Sequence, residues 1–343
     1  MSHQIEEHDT QQGTFIAWHG LTELRPEWEK ISIKEALASS FFASWEYEEA
    51  TPYMIIDGEK IPLPSRQLTV SDVKGLCIGE TYNPDSFKFL TNASWMKVIE
   101  ESVEGLEKAH LASCGTFGNR AKQFASVRLN ADYKAGGREF QSFLNFGNGN
   151  DKSDALWSSI TSLCTVCANT YAPNREASGT AMRVKKTKFS EVRIENMSQV
   201  VNDLLSKQKE FIREFDALAL VKCSEEEARA FFAAFLGKKG EPLSTKGFNT
   251  LERLVGLFEA GAGNAGENLA DVFSAATDYW THEAASAQNT PEAKAKNFVS
   301  SEFGSGAKAK RMIYDRLTDE TARSHSFAVG KSIVDATKAK QDT

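Results

Sequence analysis

The chain has 343 residues, 41% of them hydrophobic and 25% charged, with a formal net charge of -7 at pH 7. That composition supplies a core for about two ordinary domains or one large one and excludes a wholly disordered chain. No apolar run approaches the roughly 18–20 residues that cross a bilayer, and residues 1–12 are polar, with Glu6, Glu7 and Asp9 where a signal peptide would be apolar. A soluble cytoplasmic protein with no membrane partner is expected.

Residues 14–18 form a short apolar run. A helix follows over residues 32–40, with Ser32 as N-cap and Glu35 three residues later. Residues 52–61 read as a hairpin turned by Asp57-Gly58. Phe41, Phe42, Trp45, Tyr53, Met54, Ile55 and Ile56 suggest a substantial buried contribution from this region. Residues 73–80 read as a strand, and Asn83-Pro84 as a turn. Asn92 is placed as the cap of a helix reaching about residue 109, with Trp95, Met96, Val98, Ile99, Val103 and Leu106 at helical spacing.

The middle of the chain reads as strands. Residues 110–117 and 123–131 flank Gly118-Asn119-Arg120, a hairpin signal. Alternation sorts Phe124, Ser126, Arg128 and Asn130 onto one face, and Ala125, Val127 and Leu129 onto the other. Gly136-Gly137 is a turn, residues 138–147 and 155–170 are two more strands, and residues 147–153 are a polar loop between them. From residue 190 the pattern is helical. Helices are expected over 196–220, from a capping box at Ser224 and Glu227 to Gly237, from Asn249 or Thr250 to about 260, over 269–285 and over 307–317. The tail after Gly330 is expected to fray.

The fold class is therefore α+β: an antiparallel β-meander sheet flanked by helices, with an α-helical C-terminal region. The expected organisation is an N-terminal segment 1–70 joined to the core, a core over 71–222 with a basic hairpin, a helical region over 223–330, and a flexible tail over 331–343.

Five cysteines, Cys77, Cys114, Cys164, Cys167 and Cys223, are an odd number in a chain that is not short, which argues against a secreted disulfide framework. Reduced, buried thiols are the ordinary reading. Cys164-Thr-Val-Cys167 has metal or redox spacing, but no second ligand pair accompanies it, and it sits in a strand-like segment rather than at a helix N-terminus. Gly261-Ala-Gly-Asn-Ala-Gly266 has dinucleotide-loop spacing but follows a helix, where the fingerprint must follow a strand. Asp278 and His282 share one helix face at i and i+4. A metal or acid–base pair there, as in a nuclease, is a minor reading beside a packing contact. No serine-nucleophile elbow or phosphate loop occurs, so no catalytic residue and no cofactor are assigned.

Charge is unevenly spread. Residues 108–193 hold 13 Lys/Arg against 6 Asp/Glu in an otherwise acidic chain. Arg120, Lys122 and Arg128 lie on or beside the hairpin. Lys134 and Arg138 flank the next turn. Arg183, Lys185, Lys186 and Lys188 fall in an extended segment before the long helix. Cations that neutralise phosphates, interleaved with aromatics that stack on bases, mark a nucleic-acid face. Phe140, Phe143 and Phe146 are read as core rather than as base platforms.

Several of these segments recur together in order. They are Phe15-Ile-Ala-Trp18, Gly75-Leu-Cys-Ile-Gly-Glu-Thr-Tyr82, the hairpin from Gly115 to Leu129, Cys164-Thr-Val-Cys167, the basic stretch from Arg183 to Lys188, Phe273 to His282, and Phe303-Gly304. In that order the chain resembles the phage/plasmid-like family known as domain of unknown function 932, from residue 15 to about 317. The resemblance implies a mobile-element protein and carries over no catalytic residue. More distantly, the element order resembles single-strand-annealing recombinases of the RecT/Redβ and Rad-fifty-two type, in which a basic hairpin and groove hold DNA on a homo-oligomer. By that likeness Arg120, Lys122, Arg128, Lys185, Lys186 and Lys188 contact phosphates. The function expected is single-stranded DNA binding that promotes annealing or recombination without nucleotide hydrolysis. The alternative is a factor that binds a host or phage protein, in defence or replication control, and no nucleic acid.

Overall fold

The structure, a computed structural model, describes residues 5–13, 23–71, 76–78, 82–84, 86–117, 120–152, 155–164, 170–171, 182–184, 197–286 and 304–341, together with 288, 290, 293, 296–297 and 300–301. Its elements in chain order begin with β1 (Ile5–Gln12), β2 (Glu23–Leu24), α1 (Ile33–Ala38), β3 (Tyr47–Ala50), β4 (Tyr53–Ile56), β5 (Glu59–Pro62), β6 (Leu68–Ser71), β7 (Leu76–Cys77) and α2 (Asn92–Ser102). Six strands follow: β8 (His110–Phe117), β9 (Lys122–Ala135), β10 (Arg138–Gly149), β11 (Leu156–Cys164), β12 (Thr170–Tyr171) and β13 (Met182–Val184). The rest is helical: α3 (Met197–Leu220), α4 (Glu225–Leu236), α5 (Thr245–Ala260), α6 (Leu269–His282), α7 (Ser305–Thr318) and α8 (Glu320–Gln341). The fold is α+β.

The main sheet runs β12-β11-β10-β9-β8-β1-β2, with β13 also paired to β11. The pairings of β8 with β9, β8 with β1, and β11 with β12 and β13 are antiparallel. Two smaller sheets are β3-β6-β7 and the hairpin β4-β5. Asp57 and Gly58 turn that hairpin with φ of 53° and 85°, the left-handed pair that a two-residue connection requires. Gly136 and Gly137 do the same between β9 and β10, with φ of 54° and 76°.

The chain divides into two compact units. One holds residues 1–131, 142–160 and 176–206, and the other holds 132–141, 161–175 and 207–343. In the first unit, alternation along β9, β10 and β11 presents Ala125, Val127, Leu129, Leu144, Phe146, Leu156 and Ile160 to a core shared with Trp28, Leu37, Phe42, Trp95 and Ile99. The ring of Phe42 meets that of Trp95 edge-on at 4.9 Å. The capping box at α1 forms as expected: Glu35 N donates to Ser32 Oγ at 3.2 Å, and Ser32 N donates to Glu35 Oε2 at 2.9 Å.

In the second unit, Phe211 and Phe215 of α3, Phe231 and Phe232 of α4, Leu254 and Phe258 of α5, Phe273 of α6, Ile313 and Leu317 of α7 and Ile333 of α8 form one apolar core with Ala135 and Phe140. The capping box at Ser224 and Glu227 opens α4 as expected.

Several expectations are corrected. Helix α2 ends at Ser102, not near 109, and Thr91 rather than Asn92 caps it, accepting from Ser94 N at 3.1 Å. Helix α5 begins at Thr245, because Ser244 already supplies a cap to Gly247 N. Residues 331–341 are helical rather than frayed: α8 runs to Gln341, Ile333 is fully buried, and the hydroxyl of Thr337 accepts from Leu243 N at 3.0 Å. Phe42 and Trp45 are buried, but Tyr53, Met54, Ile55 and Ile56 are exposed.

Candidate nucleic-acid interface

The β8–β9 hairpin pairs Phe117 with Lys122, Gly115 with Phe124, Ser113 with Ser126 and His110 with Arg128, with a register shift between Leu111 and Ser113. Ala125, Val127 and Leu129 face the core, so Lys122, Phe124, Ser126 and Arg128 share the opposite face. Ser126 Oγ donates to Asn145 Oδ1 at 2.6 Å, which puts Asn145 of β10 on that same face, with Phe143 two residues before it. Gly147 comes next on this face. A Cβ there would lie 2.1 Å from the ring of Trp157, so the absent side chain makes room for the indole of β11.

This face therefore combines two cations with a buried apolar layer. Phe124, Phe143 and Trp157 are 3–5% exposed. Lys122 and Arg128 are half-buried. Burial, and then the charge of Arg128, hold the His110 imidazole below its ordinary value, so His110 is neutral at pH 7 and adds no charge.

Arg120, just before β9, is anchored from several sides. Arg120 has φ of 63°, its guanidinium stands 4.5 Å from the Trp45 ring centroid, and its carbonyl accepts from Tyr47 Oη at 2.5 Å. Buried amides tie the strand ends to the start of α2. Gln123 Nε2 donates to Asn92 Oδ1 at 2.6 Å, and Asn148 Nδ2 donates to Gln123 Oε1 at 2.6 Å. Asn150 accepts from Leu90 N and donates to Leu90 O, while its own N–H donates to Ala121 O at 2.6 Å. Asn92 Nδ2 reaches the carbonyls of Phe42 and Trp45, and the carboxylate of Glu46 receives the N–H groups of Asn92 and Ala93. Each member satisfies another, so this network ties the start of β9 and the end of β10 to the start of α2.

The remaining candidates separate. Lys134 is exposed and ion-paired with Glu139 at 2.9 Å. Arg138 is corrected from a surface cation to an internal one. Its side chain is 6% exposed, pairs with the 2% exposed carboxylate of Asp271, and donates to Gly263 O and Asn264 Oδ1, both at 3.0 Å. Those bonds hold the glycine-rich loop between α5 and α6, so that loop is structural and Arg138 is committed to it. Arg183 stands opposite Trp157 in the β11–β13 pairing. Lys185, Lys186 and Lys188 lie outside the described residues.

Cys164 ends β11, and Cys167 lies outside the described residues. Cys114 and Cys223 are free and buried; burial is the main force raising both thiols, that of Cys223 to about 12, so neither offers a thiolate at neutral pH. Asp278 and His282 both lie on α6. Among the described residues no group of three or more His, Cys, Asp or Glu could hold a metal ion. Sequence reasoning missed the amide network and the Asn145–Trp157 side of the face. Alternation along 143–147 carried the signal for the latter, but partner strands had to be known to use it.

No curated protein and no solved structure matches the chain. The family model described as domain of unknown function (DUF932) matches residues 83–311. That span takes in α2, the β8–β9 hairpin and helices α3 to α6, and it is well over half the chain. The chain belongs to the DUF932 family.

Proposed function

We propose that the protein binds single-stranded DNA along the β8–β9 face and promotes strand annealing or recombination for a phage or plasmid, as an assembly of copies and without nucleotide hydrolysis. The observation that carries this reading is the placement of Lys122 and Arg128 on one sheet face, away from the core, beside an anchored turn that bears Arg120. Lys122 and Arg128 stand about 20 Å apart along the strand, with the buried Phe124 and Ser126 between them, so they would meet a nucleic-acid strand as two separate phosphate contacts at the ends of a covered strip. The aromatic residues of the face are buried, so the binding energy comes from counterion release and not from base stacking. Bases left unstacked by protein remain available for pairing. Arg138 has no part in this, and Lys134 contributes little through its exposed pair with Glu139.

Fluorescence anisotropy with labelled single- and double-stranded oligonucleotides across a salt series tests the proposal. Preferential single-strand binding with a steep salt slope is expected. Lys122→Ala and Arg128→Ala should each weaken binding on all sequences alike and flatten the log–log salt slope by about 0.7 for each phosphate no longer neutralised. The triple change Lys185→Ala, Lys186→Ala and Lys188→Ala should flatten it further. Unchanged affinity and slope in these variants, or no binding by the folded protein at low salt, would overturn the assignment and point to a protein partner instead.

A further inference from the structure

Among the described residues, the exposed large apolar side chains concentrate on the β4–β5 hairpin. Among the described residues, its two strands pair only with each other, and all eight strand residues are exposed. Tyr53, Met54, Ile55, Ile56 and Ile61 are 40–66% exposed. A two-stranded ribbon with both faces in water is marginally stable, and contiguous exposed apolar side chains mark an interaction surface.

The register pairs Tyr53 with Pro62, Met54 with Ile61, Ile55 with Lys60 and Ile56 with Glu59. Residues opposite one another share a face. One face is therefore Tyr53, Ile55, Pro62 and Lys60, where the Lys60 ammonium lies 4.8 Å from the Tyr53 ring centroid. The other is Met54, Ile56, Ile61 and Glu59. Each face has three apolar side chains and one charge, and the two charges are opposite. The faces are thus complements of each other.

We propose that this hairpin is a self-association surface on which a second copy of the chain docks, the Lys60 face of one copy against the Glu59 face of the next. The apolar side chains supply the affinity, and the charges choose the orientation. Contact between identical faces would set Lys60 against Lys60, or Glu59 against Glu59, near a desolvated patch, which is repulsive. Contact between unlike faces pairs them. Such a contact is heterologous: every copy added leaves a free face of each kind, so assembly proceeds past a dimer to a ring or filament. The hairpin lies outside residues 83–311, the part of the chain that the family model covers.

The test needs no nucleic acid, so its outcome is separate from that of the DNA-binding reading. Sedimentation velocity of the full chain over a concentration series should show wild-type protein growing beyond a dimer. Lys60→Glu makes both faces acidic and Glu59→Lys makes both basic, so each variant alone should associate at least about tenfold more weakly. A one-to-one mixture of the two should assemble again. The double exchange Glu59→Lys with Lys60→Glu should behave as wild type. Ile55→Asp should weaken assembly with an unchanged circular dichroism spectrum, since this exposed position lies outside both cores. A wild-type monomer at every concentration would overturn the proposal. So would single charge variants that assemble as wild type does, or a mixture no better than its components.

Discussion

Arg138 shows how little a residue's own neighbourhood says about its task. It flanks a glycine turn, as a solvated or phosphate-binding cation would, yet it is paired with Asp271, 133 positions away. Asp271 in turn accepts from Glu267 N at 3.0 Å. Removing one partner of a buried pair leaves an uncompensated charge, so Asp271→Ala is predicted to cost about 3–5 kcal/mol in urea denaturation. A loss below about 1 kcal/mol would show that water reaches Arg138 after all. Asp278 makes a second case. Burial, and then the charge of Glu283, push its carboxyl up to about 6, against the opposing effect of Arg253. A carboxyl raised in the folded state binds more protons there than in the unfolded chain, so stability falls as pH rises from 3.8 to about 6. Asp278→Asn removes that loss. Its stability relative to wild type should grow across the same window and level off above it, as read from denaturation at a series of pH values. A pH-independent difference would contradict this.

Elements that start from local chemistry were legible. Ser32 with Glu35 and Ser224 with Glu227 each satisfy two helix N–H groups within four residues, and Asp57-Gly58 and Gly136-Gly137 supply the positive φ that their turns need. Where elements end was less legible. Periodicity continued past Ser102, but α2 stops there. The polar tail reads as unstructured, yet α8 packs along α4. A Cβ at Gly330 would sit 1.6 Å from Ala230 O, so the two helices meet backbone to backbone. Gly330→Ala is predicted to force them apart and lower thermal stability by at least about 1–3 kcal/mol. The control is Gly256→Ala in α5, where a Cβ would meet nothing within 4 Å. There the gain in helix propensity is about 1 kcal/mol. If both substitutions shift the melting temperature the same way, the close packing of α4 and α8 is wrong.

At the scale of the whole molecule, each compact unit has its own apolar core, one around Trp28 and Trp95 and one around Phe215 and Phe273. Neither unit is a continuous stretch of chain. Strands β9, β10 and β11 and helix α3 each contribute residues to both, so composition shifts along the sequence did not locate the division. The net charge of -7 means that the field of the whole protein does not draw in a polyanion, so the proposed binding depends on a local face. No helix among the described residues is long and apolar enough to cross a membrane.

By itself, the sequence determined what depends on neighbours a few positions away: the α+β class, the hairpins and their turns, the helix caps, and the alternation that puts Arg128 on one side of β9 and Val127 on the other; that Lys122 joins Arg128 on its face followed only from the observed start of β9. Tertiary structure decided which of the similar-looking cations stay at the surface and which one is drawn inside, which apolar residues become core and which stand exposed on β4 and β5, and where helices end. Those outcomes depend on burial and on partners distant in the chain. A charge is stable inside only if some remote carboxylate meets it, and an apolar strand is core only if another element comes to cover it.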